Sequence, residues 1–247
     1  MEILTLSRVT KYFGNSLILK DISFSMVEGE IFGIIGPNGA GKTTLLDVIA
    51  GLIPLTAGDI CFFDKSIRNL KPHKIVSLGI SRTFELAQSA AKMTALQNVM
   101  VGAFFGRTGK GKSEAAARRS ATEALEFLGL SEKKDQPAGS LNVLERRRLE
   151  IGIALAMNPK LLLLDEVMSG LNSTEIDEGV ELIKKIRDRG ITILLVEHVM
   201  RTVTNTCTRM LVLHRGEKIA EGTPDHVLSQ GQVIEAYLGK QYREIVN

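Results

Sequence analysis

A glycine-rich loop that ends in lysine and threonine is the segment of this chain best suited to bind phosphate. It fits the pattern G-x-x-x-x-G-K-[ST] and consists of Gly36, Pro37, Asn38, Gly39, Ala40, Gly41, Lys42 and Thr43, followed by Thr44. Glycines let backbone N–H groups turn inward around phosphate oxygens, and a helix that begins at the loop adds the partial positive charge of its N-terminus. We predict that Lys42 reaches the terminal phosphates and that the Thr43 hydroxyl binds Mg²⁺. The alternative is an ordinary glycine-rich turn between a strand and a helix.

Two adjacent carboxylates, Asp165 and Glu166, come directly after the apolar run at 161–164. Such a short apolar run predicts a buried strand, and α/β sheets bind ligands beyond the carboxyl ends of their strands. We expect Asp165 to hold Mg²⁺ through water and Glu166 to orient or deprotonate an attacking water. Strands often end in Asp or Glu, so the pair is informative because a phosphate loop precedes it in the chain.

His198 follows another apolar run, at 191–196. The carboxyl ends of parallel strands lie at one edge of a sheet, so we expect this imidazole at the same edge as the glycine-rich loop. We predict that His198 contacts the γ-phosphate of a bound nucleotide. The alternative is a structural role, which is more usual for an isolated histidine.

The elements needed to position these residues alternate along the chain. Alternating apolar residues before residue 30 predict antiparallel strands, and the second half predicts a parallel sheet with helices on both faces. The predicted strands are 31–35, 58–64, 79–84, 161–164 and 191–196, with a hairpin at 210–220. The predicted helices are 44–50, one that starts with 94–100, 113–128, 172–189 and further ones within 224–238. We expect a single domain, with a nucleotide-binding core at 1–85 and 159–247 and an inserted helical part at 86–158.

Composition argues against several classes of protein. The 247 residues are 44% hydrophobic, enough for a large core, and the net charge of +3 is too weak to indicate a nucleic-acid partner. Cys61 and Cys207 are far apart and lack CxxC spacing, which argues against a disulfide framework or a zinc site. The N-terminus does not have the pattern of a signal peptide, and no apolar run approaches the ~20 residues of a membrane span. We therefore expect any membrane role to be peripheral, without direct insertion into lipid.

Taken together, these motifs make the chain similar to the ATP-binding subunit of ABC transporters, and most similar to the branched-chain amino acid and urea-type importers. The likeness covers nearly the whole chain and is carried by 36–44, 81–84, 147–151, 162–166, 196–198 and 233–239. It implies an α/β fold, the P-loop NTPase fold of ABC ATPases, with an N-terminal antiparallel β subdomain and an inserted α-helical subdomain. The implied ligands are ATP and Mg²⁺.

The same resemblance implies protein partners. A second ABC ATPase subunit, identical or different, would close head-to-tail with this one over two ATP molecules, and hydrolysis would reopen the pair. Transmembrane permease subunits would hold the pair at the cytoplasmic face of the cell membrane and would dock on helices near 86–130. Apolar residues there, such as Leu96, Val99 and Met100, belong either to the core or to that docking surface.

The resemblance also implies contacts at the two ends of the nucleotide. Phe13 would stack on adenine, with Tyr12 as the near alternative and simple strand packing as a further interpretation of this aromatic. The loop at 169–172 matches the segment that crosses to the partner subunit.

Several positions depart from the pattern of the family. Glu85 stands where members usually carry a glutamine that touches Mg²⁺ and the catalytic water, and it would place a carboxylate beside the triphosphate. The signature segment, usually Leu-Ser-Gly-Gly-Gln, here keeps a polar donor at Asn142 but has Leu144 where a close backbone approach to the partner's γ-phosphate is expected. Val167 replaces a proline and Val199 an aspartate. Either a working ATPase tolerates these changes, or they weaken the signature half, or the chain binds ATP as a switch with little hydrolysis.

Rival functions find less support in the sequence. A soluble ABC ATPase of translation or DNA repair usually carries two ATPase halves or a long coiled-coil insertion, and this chain has neither. A non-hydrolysing interaction module is favoured by Glu85 and Leu144 but disfavoured by Glu166 and His198. A regulatory GTPase needs an Asn-Lys-x-Asp motif to recognise guanine, which the sequence lacks.

Overall fold

The computed structural model describes residues 1–83, 90–107 and 113–238 of the chain, without the side chain of Leu238. These residues group into two compact units. The first unit contains Met1–Lys71 and the residues from Thr192 onward, and the second contains Pro72–Ile191.

An antiparallel sheet forms the N-terminal part of the first unit. Its strands are β1 (Glu2–Phe13), β2 (Ser16–Val27), β4 (Ala57–Phe62) and β5 (Lys65–Ser66), in the order β2-β1-β4-β5. Buried residues alternate with exposed ones along much of β1 and β2, as expected for strands with one face on the core. The predicted antiparallel N-terminal strands are confirmed.

A mostly parallel group of strands follows in the same unit. β3 (Ile31–Ile35) lies between β8 (Thr192–Val196) and β9 (Arg209–His214), parallel to both, and β10 (Glu217–Gly222) pairs antiparallel with β9. All residues of β3 and β8 are buried, which explains why both read as continuous apolar runs. The predicted hairpin around Arg215 and Gly216 is confirmed.

The helices of the first unit are α1 (Lys42–Ile49), α7 (Met200–Thr206), α8 (Pro224–Leu228) and α9 (Gly231–Leu238). The helix predicted from Thr44 begins two residues earlier, at Lys42. Gly41 takes φ of 102° at its N-cap, so the chain can enter the helix directly from the glycine-rich loop.

The second unit contains two parallel strands and most of the long helices. β6 (Ile80–Arg82) pairs with β7 (Leu161–Asp165), and Leu161 lies opposite Ile80. The helices are α2 (Pro72–Leu78), α3 (Ala95–Phe105), α4 (Glu114–Phe127), α5 (Val143–Ala156) and α6 (Ser173–Asp188), with 3₁₀ turns at Ser131–Lys133 and Ala138–Ser140. The predicted mixed α/β fold, with antiparallel strands and a helical part, is confirmed.

Helix α3 packs against α4 and α5 around a shared core. Leu96, Val99 and Met100 are all buried, so these residues belong to the core and not to a docking surface. A Cβ on Gly102 would clash with the carbonyl oxygen of Ile153, which shows how closely the backbones of α3 and α5 approach. Within the described ranges, no helix combines the length and apolar content needed to cross a bilayer.

Candidate nucleotide-binding site

The glycine-rich loop connects the buried strand β3 to the N-terminus of α1 in the first unit. Gly36 takes φ of 156°, and a Cβ there would clash with the carbonyl oxygen of Leu213 on β9. A Cβ on Gly41 would lie 2.8 Å from the Leu19 side chain. Glycine is therefore required at these two positions by the packing of the loop as well as by its backbone conformation.

Lys42 is the buried cation of this loop. Its side chain is drawn inward, with only 5% of the residue exposed, although lysine is rarely buried without partners. Nζ donates to the carbonyl oxygen of Gly36 at 2.8 Å and to that of Pro37 at 3.2 Å. The ammonium is thus fixed against the inside of the loop, where a phosphate group would complete its charge balance.

The N-terminus of α1 is open to a ligand. Among the described side chains none caps this helix, and Thr43, in its first turn, is exposed. Uncapped backbone N–H groups and the helix dipole attract an anion, and the Thr43 hydroxyl can serve as an oxygen ligand for Mg²⁺. The loop therefore fits a nucleotide phosphate with its metal ion.

His198 lies at the same edge of the sheet as the loop, as predicted. Ile34 of β3 pairs with Val196 of β8, and Gly36 and His198 each lie two residues beyond this pair. His198 is exposed, whereas Glu197 beside it is fully buried. The imidazole is accordingly presented to solvent at this edge.

Asp165 and Glu166 stand at the carboxyl end of β7 in the second unit. The Asp165 side chain is 1% exposed and forms an ion pair with Arg82, whose Nη2 lies 2.7 Å from Oδ2. Its backbone N–H donates to the Thr83 hydroxyl at 3.2 Å. Glu166 is half-buried and has a left-handed backbone with φ of 49°. The predicted carboxylate pair is therefore present at the strand end, and Arg82 is a partner that the sequence pattern did not identify.

Phe13 is the last residue of β1 and keeps 49% of its surface exposed. The Lys11 ammonium lies 4.7 Å from the centroid of its ring and also donates to the Pro54 carbonyl at 2.8 Å. Tyr12 is 41% exposed, so both aromatic side chains offer surface for a base to stack.

Tyr237 of α9 is a residue near the loop that sequence reasoning did not assign. Its phenol lies near the backbone of Gly36 but outside hydrogen-bond geometry, and burial raises the pKa of this phenol to about 12. The C-terminal helix thus contacts the first glycine of the phosphate loop. The only local sign of this role is an aromatic residue in an otherwise ordinary amphipathic helix.

The signature residues begin helix α5. Asn142 is its N-cap, where the side-chain oxygen accepts from the Glu145 N–H at 2.8 Å and the Glu145 carboxylate accepts from the Asn142 N–H at 3.0 Å. This capping box explains why an asparagine is suitable at the position. Leu144 is half-buried in the first turn. Glu85, which stands where family members usually carry a glutamine that touches Mg²⁺, lies outside the described residues.

Helix α7 lacks the cap that the family pattern would provide. Val199 is its N-cap residue, and no side chain caps this end within the part of the chain that the structure describes. Valine has no polar group for this purpose, whereas aspartate is among the preferred N-cap residues.

Two family models match this chain. The model described as "ABC transporter" matches residues 19–169, and that described as "Branched-chain amino acid ATP-binding cassette transporter" matches residues 217–243. The first match spans the glycine-rich loop, the Asp165–Glu166 pair and the signature segment.

Curated relatives match over almost their full lengths. The probable branched-chain amino acid transport ATP-binding protein LivG of Methanocaldococcus jannaschii is 35% identical, covering 97% of this chain and 98% of the relative. The high-affinity branched-chain amino acid transport ATP-binding protein BraF of Pseudomonas aeruginosa is 34% identical, covering 96% and 98%. The lipopolysaccharide export system ATP-binding protein LptB of Haemophilus influenzae is 32% identical, covering 98% and 100%.

Solved structures show the same fold. A nucleotide-free ATP-binding cassette from an ABC transporter superposes with a TM-score of 0.88 at 34% identity, covering 97% of this chain and all of that one. A dimeric cassette in a post-hydrolysis state, bound to ADP and Pi, gives a TM-score of 0.81 at 26% identity, covering 90% and 99%. This chain belongs to the ABC transporter family, as one of its ATP-binding cassettes.

Proposed function

We propose that this chain binds and hydrolyses ATP to drive a membrane transporter that imports branched-chain amino acids or a similar small polar solute. The observation that carries the proposal is the placement of Lys42, buried inside a glycine loop that leads into an uncapped helix N-terminus. A cation held by two carbonyl oxygens is ready to exchange those contacts for phosphate oxygens.

Each predicted site residue has a role in this proposal. The loop from Gly36 to Thr44 binds the phosphates through backbone N–H groups of residues other than Pro37 and through the Lys42 ammonium. Thr43 would hold Mg²⁺, whose charge would offset that of the phosphates. Asp165 would help to hold the metal ion through water, and the ion pair with Arg82 fixes the orientation of its carboxylate. Phe13 stacks on the adenine, and its half-exposed ring is available for that contact.

The chemical step needs a base for water and a contact to the γ-phosphoryl group that the water attacks, with ADP as the leaving group. Glu166 is proposed to take the proton of the attacking water, and its half-buried carboxylate is accessible to a water molecule. His198 is proposed to donate a hydrogen bond to the γ-phosphate, and its exposed position beyond β8 supports this role. Glu85 is proposed to lie beside Mg²⁺, on the strength of the family pattern alone.

A second ATPase subunit is proposed to complete the site. The dimeric cassette among the solved structures, which contains ADP and Pi, supports an assembly of two subunits. Asn142 would donate a hydrogen bond from its amide nitrogen to the partner's γ-phosphate, since the amide oxygen already caps α5. Permease subunits would attach the pair to the cytoplasmic face of the membrane.

Leu144 is proposed to slow closure of the two subunits. A leucine side chain in the first turn of α5 would stand where a signature glycine allows the backbone to approach phosphate. Leu144→Gly should raise steady-state phosphate release above that of the parent chain. Val143→Gly is the matched control, because it places the same poor helix former in the same turn. An equal rate for Leu144→Gly and the parent would show that the leucine does not limit turnover.

The proposed substrate is supported by two relatives and by the C-terminal family match. LivG and BraF carry branched-chain amino acid transport in their names, whereas LptB belongs to a lipopolysaccharide export system. The match at 217–243 is to a branched-chain amino acid transporter model, which favours the first assignment.

Uptake of radiolabelled leucine tests the proposal. Cells lacking the chain should regain uptake with the parent and with Lys20→Ala, an exposed surface variant, but not with Lys42→Ala. Membrane subunits should co-purify with all three chains, because Lys42 does not contribute to docking. Normal leucine uptake without the chain would overturn the substrate assignment, and restored uptake with Lys42→Ala would overturn the proposed use of ATP.

A further inference from the structure

A cavity of about 540 Å³ opens in the second unit, apart from any residue assigned a role above. Its lining comes from Arg107 beyond the end of α3, one face of α4, the end of α5 with the turn that follows, and the residues directly after α6. Its volume lies in the range of pockets that bind small molecules, roughly 300–1,000 Å³. As far as the structure describes its lining, no residue of the phosphate loop takes part.

The charged side chains of this cavity are mainly cationic. Among the described residues of the lining, Arg107, Lys160 and Arg189 are cationic and Glu123 is the one carboxylate. These cations come from three separate segments of the chain, so their convergence is not the solvated face of one helix. Like charges that meet in a concave site repel one another, and an anion bound between them removes that repulsion.

Two of the cations are held in fixed orientations. Arg107 donates from Nε to the carbonyl oxygen of Asn158 at 2.9 Å, on the turn between α5 and β7. The guanidinium carbon of Arg189 lies 3.5 Å from the centroid of the Phe127 ring. The flat face of a guanidinium makes the contact with an aromatic ring. Its N–H groups lie in the guanidinium plane and therefore point past the ring. Little side-chain entropy remains to be lost when an anion binds to groups held in this way.

We propose that this cavity binds a small molecule that carries a phosphate group. Arginine N–H groups form a planar fork that matches two oxygens of a phosphate, Lys160 adds a third positive charge, and the hydroxyl of Ser120 lies in the same lining. The site would be distinct from the ATP site and would allow a phosphorylated metabolite to modulate the cassette.

Hydrogen–deuterium exchange of the full chain with inorganic pyrophosphate as the probe tests this proposal. Peptides that contain 155–160 and 189–191 should become protected as the probe is added, separately from any protection of the loop peptide at 36–43. Arg107→Ala and Arg189→Gln should each raise the concentration needed for protection of the cavity by about tenfold or more, the effect of losing a hydrogen bond to a charged group. Arg118→Gln, at an exposed arginine of α4 outside the cavity, is the matched control. It should leave the probe concentration needed for protection unchanged.

Loop protection serves as the internal control for folding, because the cavity variants should retain it. The proposal is overturned if the parent shows no protection at the cavity peptides, or if both cavity variants keep the parental concentration dependence. An equal loss in Arg118→Gln would also overturn it, since the binding would then reflect overall charge.

Discussion

Glu166 follows the last residue of β7 in a left-handed backbone conformation that glutamate rarely adopts. Such a conformation costs of order 1–3 kcal/mol and persists only where the surrounding structure imposes it. Val167 and Met168, which follow, are both buried and anchor the chain beyond this point. Glu166 is half-buried, unlike the fully buried residues of β7 before it, and this partial exposure is what a base for water requires.

Replacing Glu166 with glutamine tests its role at the scale of one atom. Glu166→Gln keeps the size of the side chain but removes its basicity, so ATP turnover should fall by roughly 10²–10⁴-fold while ATP binding persists. Steady-state phosphate release at saturating Mg·ATP measures the effect. Glu181→Gln, on the exposed surface of α6, is the matched control. Parental turnover in Glu166→Gln would remove this residue from the chemical step.

Cys207 makes stability depend on pH in the alkaline range. Burial raises the pKa of this thiol from 9.0 to about 12, so between these values the folded chain keeps a proton that the unfolded chain loses. The free energy of unfolding should therefore fall as pH rises above about 9, by at most about 1.4 kcal/mol per pH unit. Burial of Tyr237 acts in the same direction at higher pH.

Urea unfolding at pH 8 and pH 10 measures this dependence. Cys207→Ala should lose less stability between the two pH values than the parent, whereas Cys61→Ala, at a less buried thiol, should behave much like the parent. The same pH dependence in Cys207→Ala and the parent would mean that another group titrates.

Local signals at helix ends explain which helices could be predicted from the sequence. The capping box from Asn172 to Glu175 and the glycine at 190 bound α6 within a residue of the prediction, because side chains and local backbone set both ends. Helix α2 was not predicted, since Ile75 is its one buried residue and a single apolar position has no period. Helix α1 begins earlier than predicted because glycine conformation, which has no apolar signal, sets its start.

The unequal caps of α6 and α7 give a paired prediction. Asn172→Ala should lower the free energy of unfolding by about 0.5–2 kcal/mol, because two backbone N–H groups lose their acceptor. Val199→Asp should raise it by a similar amount, because an aspartate can cap α7. Urea unfolding measures both, and Val199→Ala is the control that removes the valine without adding a cap. A Val199→Asp chain no more stable than Val199→Ala would show that α7 gains nothing from a cap.

On the scale of the whole molecule, the contacts that could not be predicted from the sequence are those that depend on pairing between distant segments. The motifs and the strand ends that carry them were predictable, because an apolar strand followed by a functional residue is a local pattern. The return of the chain at Thr192 to pair β8 with β3 brings residues more than 150 positions apart into register. The ion pair of Arg82 with Asp165 and the contact of Tyr237 with Gly36 depend on such pairing, so no single segment predicts them.

A calorimetric titration measures whether the glycine loop and Lys42 hold the phosphates of ATP. Mg·ATP is titrated into the parent, into Lys42→Ala and into Lys65→Ala, a control at an exposed lysine of β5. The parent and Lys65→Ala should bind with equal affinity, and Lys42→Ala should bind at least about tenfold more weakly, because a charged hydrogen-bond donor to phosphate is lost. Circular dichroism should show the three chains equally folded. Equal affinity of folded Lys42→Ala and the parent for Mg·ATP would contradict the account.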